Sequence, residues 1–182
     1  ITHDYSSYEN QNKFLEGTGS IVLDRNSKIA YCALSMRSSK ELFNKFCNDL
    51  DYQPVIFNSI YESKPIYHTN VLMSICNKFC IICLESIKNQ EEKNNVIMSL
   101  EDSELEIIEI SYNQMSNYLG NCIQLIDKYG NPILVMSTTA IESITSHQLN
   151  KISKHTDIIH SDIRTIEKYG GGSARCMIAE IF

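Results

Sequence analysis

The sequence predicts a mixed α/β fold assembled from repeats of one strand–strand–helix–strand unit. Three observations carry that expectation. Segments starting at Glu16, His68 and Gly120 are spaced 52 residues apart, and a constant long period is the signature of a repeated supersecondary unit such as a propeller blade. Each start leads into two short apolar runs separated by turn residues. Each pair of runs is followed by a stretch with helical spacing and then by a closing apolar run, the alternation of an α/β architecture.

The first repeat reads as strand Ser20–Leu23, a turn at Asp24-Arg25-Asn26-Ser27 and strand Ile29–Leu34. Asp, Asn and Ser favour turns because their side chains bond their own backbone. Ser38 or Ser39 can cap a helix running through Asp49, with Leu42, Phe43, Phe46 and Leu50 on one face. Pro54–Phe57 closes the repeat. The second repeat predicts strands Val71–Ile75 and Phe79–Leu84, a helix over Glu91–Leu100 and a closing strand Leu105–Ile110. In the third, strands Cys122–Ile126 and Ile133–Met136 flank a turn at Lys128-Tyr129-Gly130-Asn131-Pro132. A helical stretch over Thr139–Ser153, broken near Thr145, leads to strand Asp157–His160. Short helices at Tyr112–Leu119 and Asp162–Tyr169 link the repeats. A fourth repeat is expected to open with strand Arg175–Phe182, whose partners would come from an N-terminal segment outside this chain.

At 182 residues, with 43% hydrophobic and 21% charged side chains, the chain is expected to form a single domain over 1–182 with one core. A net charge of −6 argues against a nucleic-acid partner, which needs a basic surface. No apolar run approaches the roughly 18 residues that span a bilayer, so no membrane role is expected. Ile1–Asn12 is polar and lacks the apolar core of a secretion signal. Of seven cysteines, Cys32, Cys47, Cys80, Cys83 and Cys122 sit in apolar runs, as buried reduced thiols do. Together these observations predict a cytoplasmic protein.

The candidate site follows from repeat phase. If the repeats surround an axis, Glu16, His68 and Cys176 converge, and a carboxylate, an imidazole and a thiol together make a nucleophilic constellation. Gly170-Gly171-Gly172-Ser173-Ala174-Arg175-Cys176 is the strongest local signal. Consecutive glycines permit close backbone approach, and successive amides can form an anion-binding nest beside the thiol. The bland alternatives are a flexible turn before a core Cys, a structural His68 and a solvated Glu16. Cys76, Cys80 and Cys83 have the CxxxCxxC spacing of an iron–sulfur ligand set, but Cys80 and Cys83 lie in a strand-like apolar run. No second ligand pair supports zinc.

Phe14 to Ser20, Ile66 to Val71 and Gly170 to Phe182 together make the chain resemble the amidinotransferase-like branch of the guanidino-group modifying (pentein) superfamily. It is most similar there to the citrulline utilisation hydrolases. The resemblance covers essentially the whole chain. It implies a five-bladed α/β propeller of which this chain is the C-terminal part, with a missing N-terminal segment supplied by the same protein or by a second chain. It also implies a cysteine-dependent hydrolase of a C–N bond in a linear ureido or guanidino amino acid, with no cofactor and no metal. Cys176 is then the nucleophile, His68 the acid and base, and Glu16 its orienting carboxylate. Asn70, Gly172, Ser173 and Arg175 bind substrate. A homo-oligomer is compatible with such an enzyme.

Arginine deiminases and amidinotransferases of the superfamily resemble each other in a His-x-Asp motif where this chain has His68-Thr69-Asn70, whereas dimethylarginine hydrolases resemble the family without that Asp. A neutral amide there favours a neutral ureido group over a guanidinium, which points to citrulline. The alternatives in the superfamily are arginine deiminase, dimethylarginine hydrolase and amidinotransferase. A non-catalytic binding pentein is the alternative of a different class.

Overall fold

The structure is a computed structural model and describes residues 3–179. Mixed α/β architecture is what it shows. Three open three-stranded sheets recur with one topology, an antiparallel pair followed by a parallel strand.

The first begins after a helical turn, α1 (Gly17–Ser20), and contains β1 (Val22–Asp24) and β2 (Ile29–Leu34). Helix α2 (Lys40–Leu50) then crosses to β3 (Gln53–Asn58), parallel to β2. A ribbon of β4 (Ile60–Tyr61) and β5 (Lys64–Pro65) and a second helical turn, α3 (Thr69–Leu72), lead to the next sheet. That sheet holds β6 (Met73–Ile75) and β7 (Phe79–Ile82), with α4 (Gln90–Asp102) between β7 and the parallel strand β8 (Glu106–Glu109). After α5 (Tyr112–Ser116) come β9 (Ile123–Ile126), β10 (Pro132–Ser137), α6 (Thr138–Ser143), α7 (Ser146–Ile152) and β11 (Asp157–Ser161). Here β10 pairs antiparallel with β9 and parallel with β11. Helix α8 (Arg164–Gly170) closes the series.

The chain packs as two compact units. The first comprises Ile1–Asn70 and Ser86–Ser103, so α4 belongs to it although its sheet belongs to the second, Val71–Glu85 and Glu104–Phe182. The reason is visible at β2, which is buried on both faces. Side chains alternate across a strand, so Ala30 and Cys32 join Ile21, Phe43 and Cys47 beneath α2. Tyr31, pointing the other way, is fully buried, and its hydroxyl hydrogen-bonds Ser99 Oγ on α4 at 2.9 Å. In the second unit β7 is likewise buried along its length, with Phe79, Cys80, Ile81 and Ile82 fully inaccessible. The helix break near Thr145 is a capping box: Thr145 accepts from the Gln148 amide while the Gln148 side chain accepts from the Thr145 amide.

Several element boundaries differ from expectation for identifiable reasons. Ser20–Leu23 and Val71–Ile75 do not run as continuous strands, because each begins with a helical turn, Gly17–Ser20 and Thr69–Leu72. Fully buried Thr69 ties these turns together: its hydroxyl donates to the Ser20 carbonyl and accepts the Ala33 N–H at 2.8 Å. A tertiary tie of this kind overrides local strand propensity. Asn70 therefore sits on a helical turn. Ser39 is the first residue before α2 but makes no side-chain cap, and Leu50 is exposed. Arg175 does not open a strand; Arg175–Met177 form a single tight helical turn. The remainder of that expected strand, from residue 180 onward, lies outside the described residues.

Candidate active site

In the first unit the structure brings Glu16 and His68 together. His68 Nε2 lies 2.6 Å from Glu16 Oε2. An ionised carboxylate only accepts, so Nε2 carries the hydrogen and Nδ1 is the nitrogen left to exchange a proton. Three supports hold the pair. Thr69, next in sequence, is fixed as described above. The Tyr67 carbonyl accepts from Ser35 Oγ at 2.7 Å. The Glu16 amide donates to Ser20 Oγ, which itself donates to the Arg37 carbonyl at 2.8 Å and accepts from Ser38 Oγ. The imidazole also lies against Gly19: a Cβ there would stand 2.8 Å from His68 Cε1 and Nδ1. Glycine at 19 thus makes room for the ring. Arg37, which sequence reasoning passed over, approaches Glu16 Oε2 at 3.5 Å and stacks over Tyr67. Both charges are largely exposed, so this pair adds little stability, but it places a fixed positive charge beside the carboxylate.

In the second unit the structure gathers Asn121, Gly172, Ser173 and Cys176. Cys176 is the exposed cysteine; the other six are buried. Burial pushes the thiols of Cys32 up to about 12 and of Cys47 up to about 11. Cys122 is likewise pushed up to about 11 by burial, against the opposing pull of a Ser74 hydrogen bond and the Arg175 charge. Cys76 is raised well above the ordinary thiol range, again by burial. A buried neutral thiol is a poor nucleophile, and with all six other cysteines buried, Cys176 is the candidate nucleophile.

The glycine run does different work from that expected. Gly171, at φ +72°, ends α8 in the left-handed conformation that glycine adopts without strain. Gly172 lets Cys176 approach: a Cβ on it would lie 3.0 Å from Cys176 Cβ and 3.1 Å from Sγ. Three amides beside the glycine run are spent inside the turn. The Ser173 N–H donates to Asn121 Oδ1, the Arg175 N–H to the Asn121 carbonyl and the Cys176 N–H to the Ser173 carbonyl. Ser173 is fully buried, and its hydroxyl donates to Glu167 Oε1 at 2.7 Å. Arg175 has its Nε buried without a hydrogen-bond partner, and its charge acts on Cys76 and Cys122.

Two further functional candidates, both in the second unit, were missed. Asn121 places its side-chain nitrogen 3.3 Å from Cys176 Sγ. Glu167, a buried carboxylate, accepts from both Thr139 and Ser173. A signal for Asn121 was present: it stands 52 residues before Ser173, the interval that also joins Glu16 to His68.

Comparisons with known proteins bear on this arrangement. The model of the eukaryotic N,N-dimethylarginine dimethylhydrolase family matches residues 1–182. No curated protein matches the chain. Among solved structures the chain is similar to unliganded ArgZ, an arginine dihydrolase from the ornithine–ammonia cycle in cyanobacteria, with 17% identity and a TM-score of 0.73 over 91% of this chain and 24% of that one. The substrate-bound N-terminal domain of ArgZ, carrying a cysteine-to-serine change, gives 17% identity and a TM-score of 0.71 over 91% of this chain and 56% of that one. C. jejuni agmatine deiminase gives 15% identity and a TM-score of 0.56 over 90% and 55%. At these identities the likeness shows a shared fold. This chain spans about a quarter of ArgZ and just over half of its N-terminal domain.

Proposed function

We propose that this chain, which belongs to the eukaryotic N,N-dimethylarginine dimethylhydrolase family of the pentein guanidino-modifying superfamily, hydrolyses a C–N bond at the guanidino carbon of an arginine-type amino acid. The observation that carries the reading is the division of labour among thiols and imidazole. The exposed Cys176 follows a glycine run, and His68 is held by Glu16 with its second nitrogen left for proton exchange. The shared repeat topology and its 52-residue period also support the propeller arrangement implied by the resemblance.

In this reading Cys176 Sγ forms a C–S bond to the central guanidino carbon. The C–N bond to the departing nitrogen then breaks, and His68 supplies the proton with which that nitrogen leaves as an amine. Water next adds to the same carbon and gives its proton back to the imidazole. The C–S bond breaks, sulfur leaves as thiolate, and the product is a ureido amino acid. Glu16 stabilises the imidazolium that recurs in the cycle. With N,N-dimethylarginine the products are dimethylamine and citrulline. A second reading takes citrulline itself as substrate and ornithine as product; the specific observation favouring it is the neutral Asn70.

The test is product analysis by mass spectrometry after incubating the full-length protein separately with N,N-dimethylarginine, arginine and citrulline. Citrulline from a guanidino substrate is the expected result. Ornithine from citrulline, with no turnover of the guanidino compounds, would replace the first reading by the second. No turnover of any of the three would overturn both.

A further inference from the structure

We infer that Asn121 is a catalytic residue of this reaction, acting as the hydrogen-bond donor to the Cys176 sulfur when it carries charge as the nucleophile and leaving group. The inference rests on the reading of Cys176 as the nucleophile. The orientation of the amide decides the matter. The two ends of an asparagine side chain are told apart by their partners. The Ser173 N–H is a donor, so the end facing it at 3.2 Å is the oxygen. The other end, the NH₂ group, therefore points at Cys176 Sγ, 3.3 Å away. A hydrogen bond donated to sulfur favours its charged form.

The amide is also well placed to matter. Asn121 is only 3% exposed, so water competes weakly for its hydrogen bonds, and they are stronger than at a surface. Its carbonyl accepts the Arg175 N–H, so this one residue fixes the turn at Ser173, at Arg175 and at the sulfur. Ser173 and Glu167 are positioning residues in this arrangement. The buried Glu167 carboxylate accepts the Ser173 hydroxyl, which holds the Ser173 backbone where its N–H keeps the Asn121 amide turned the right way.

The experiment measures the rate at which iodoacetamide alkylates Cys176 as a function of pH in the full-length protein, followed by mass spectrometry of the peptide that contains it. Two variants that remove the side-chain amide from the sulfur are compared with the parent: Asn121→Ala, and Asn121→Ser, whose shorter hydroxyl can still accept from the Ser173 N–H. The expected result is a rise of about one pH unit or more in the alkylation midpoint in both variants, with circular dichroism matching the parent for Asn121→Ser. An unmoved midpoint in either folded variant overturns the inference. The midpoint is read without substrate, so it separates from the functional proposal. A raised midpoint in a protein that turns over none of the three substrates keeps the thiolate assignment and removes the reaction; normal turnover with an unmoved midpoint does the reverse.

Discussion

Cys176→Ser abolishes turnover and leaves the fold in place. The expected loss in kcat is at least about three orders of magnitude, the scale seen when a nucleophile is removed from a catalytic group acting as a unit. A hydroxyl is a far weaker nucleophile than a thiolate near neutral pH because its proton is held more tightly. Stability should change by less than about 1 kcal/mol, since Cys176 is exposed and serine is smaller than cysteine. An alcohol also accepts the Asn121 hydrogen bond that the sulfur receives. Steady-state kinetics beside a thermal melt check both halves. A variant that keeps a tenth of the parent rate would remove Cys176 from the mechanism. A variant that unfolds would show that the thiol has a packing role that its exposure does not suggest.

Gly120→Ala acts in the opposite sense, on stability first. A Cβ built on Gly120 would stand 2.5 Å from the Val71 carbonyl oxygen and 3.0 Å from the Leu72 carbonyl carbon. Both are backbone atoms, which cannot rotate away as the end of a side chain can. Relief requires the α3–β6 segment or the turn before Asn121 to move, and overpacking of this kind costs about 2–3 kcal/mol. The variant should show a lower urea midpoint with an unchanged m-value, the signature of a stability change without a change in the denatured state. Activity should fall as well, because Asn121 follows directly and its side chain and carbonyl organise the Cys176 turn. A midpoint within the error of the parent would mean that the segment yields at no cost, and that the close approach at Gly120 is incidental.

The two substitutions also mark what the sequence makes legible and what it does not. Strand Ile29–Leu34 and the helix break at Thr145 are readable locally, the first from its apolar run and the second from a Thr-x-x-Gln capping box. The Glu16–His68 pair is readable from the 52-residue repeat, which brings equivalent positions together in the fold. Gly17–Ser20 and Thr69–Leu72 are not readable locally. The apolar runs that follow them suggest strands from Ser20 and Val71, and the buried Thr69 hydroxyl, bonded to Ser20 and Ala33, ties the two turns together. The same holds for Arg175–Met177: its apolar neighbours suggest a strand, but the carbonyl and amide of Asn121, 52 residues before Ser173, set its shape. The glycine run signals close approach, and it is the Cys176 side chain that comes close to Gly172. Which amides are free for an anion is not legible there, because the Ser173, Arg175 and Cys176 N–H groups are taken by partners that no local pattern shows.

The central claim is that Cys176 becomes covalently attached to the guanidino carbon during turnover. The most direct measurement is acid quenching of the full-length protein during steady-state turnover of N,N-dimethylarginine, followed by mass spectrometry of its peptides. The account predicts a substrate-derived amidino adduct on the peptide containing Cys176, absent from Cys176→Ser. Turnover with no adduct on Cys176, or an adduct on another residue, would contradict it.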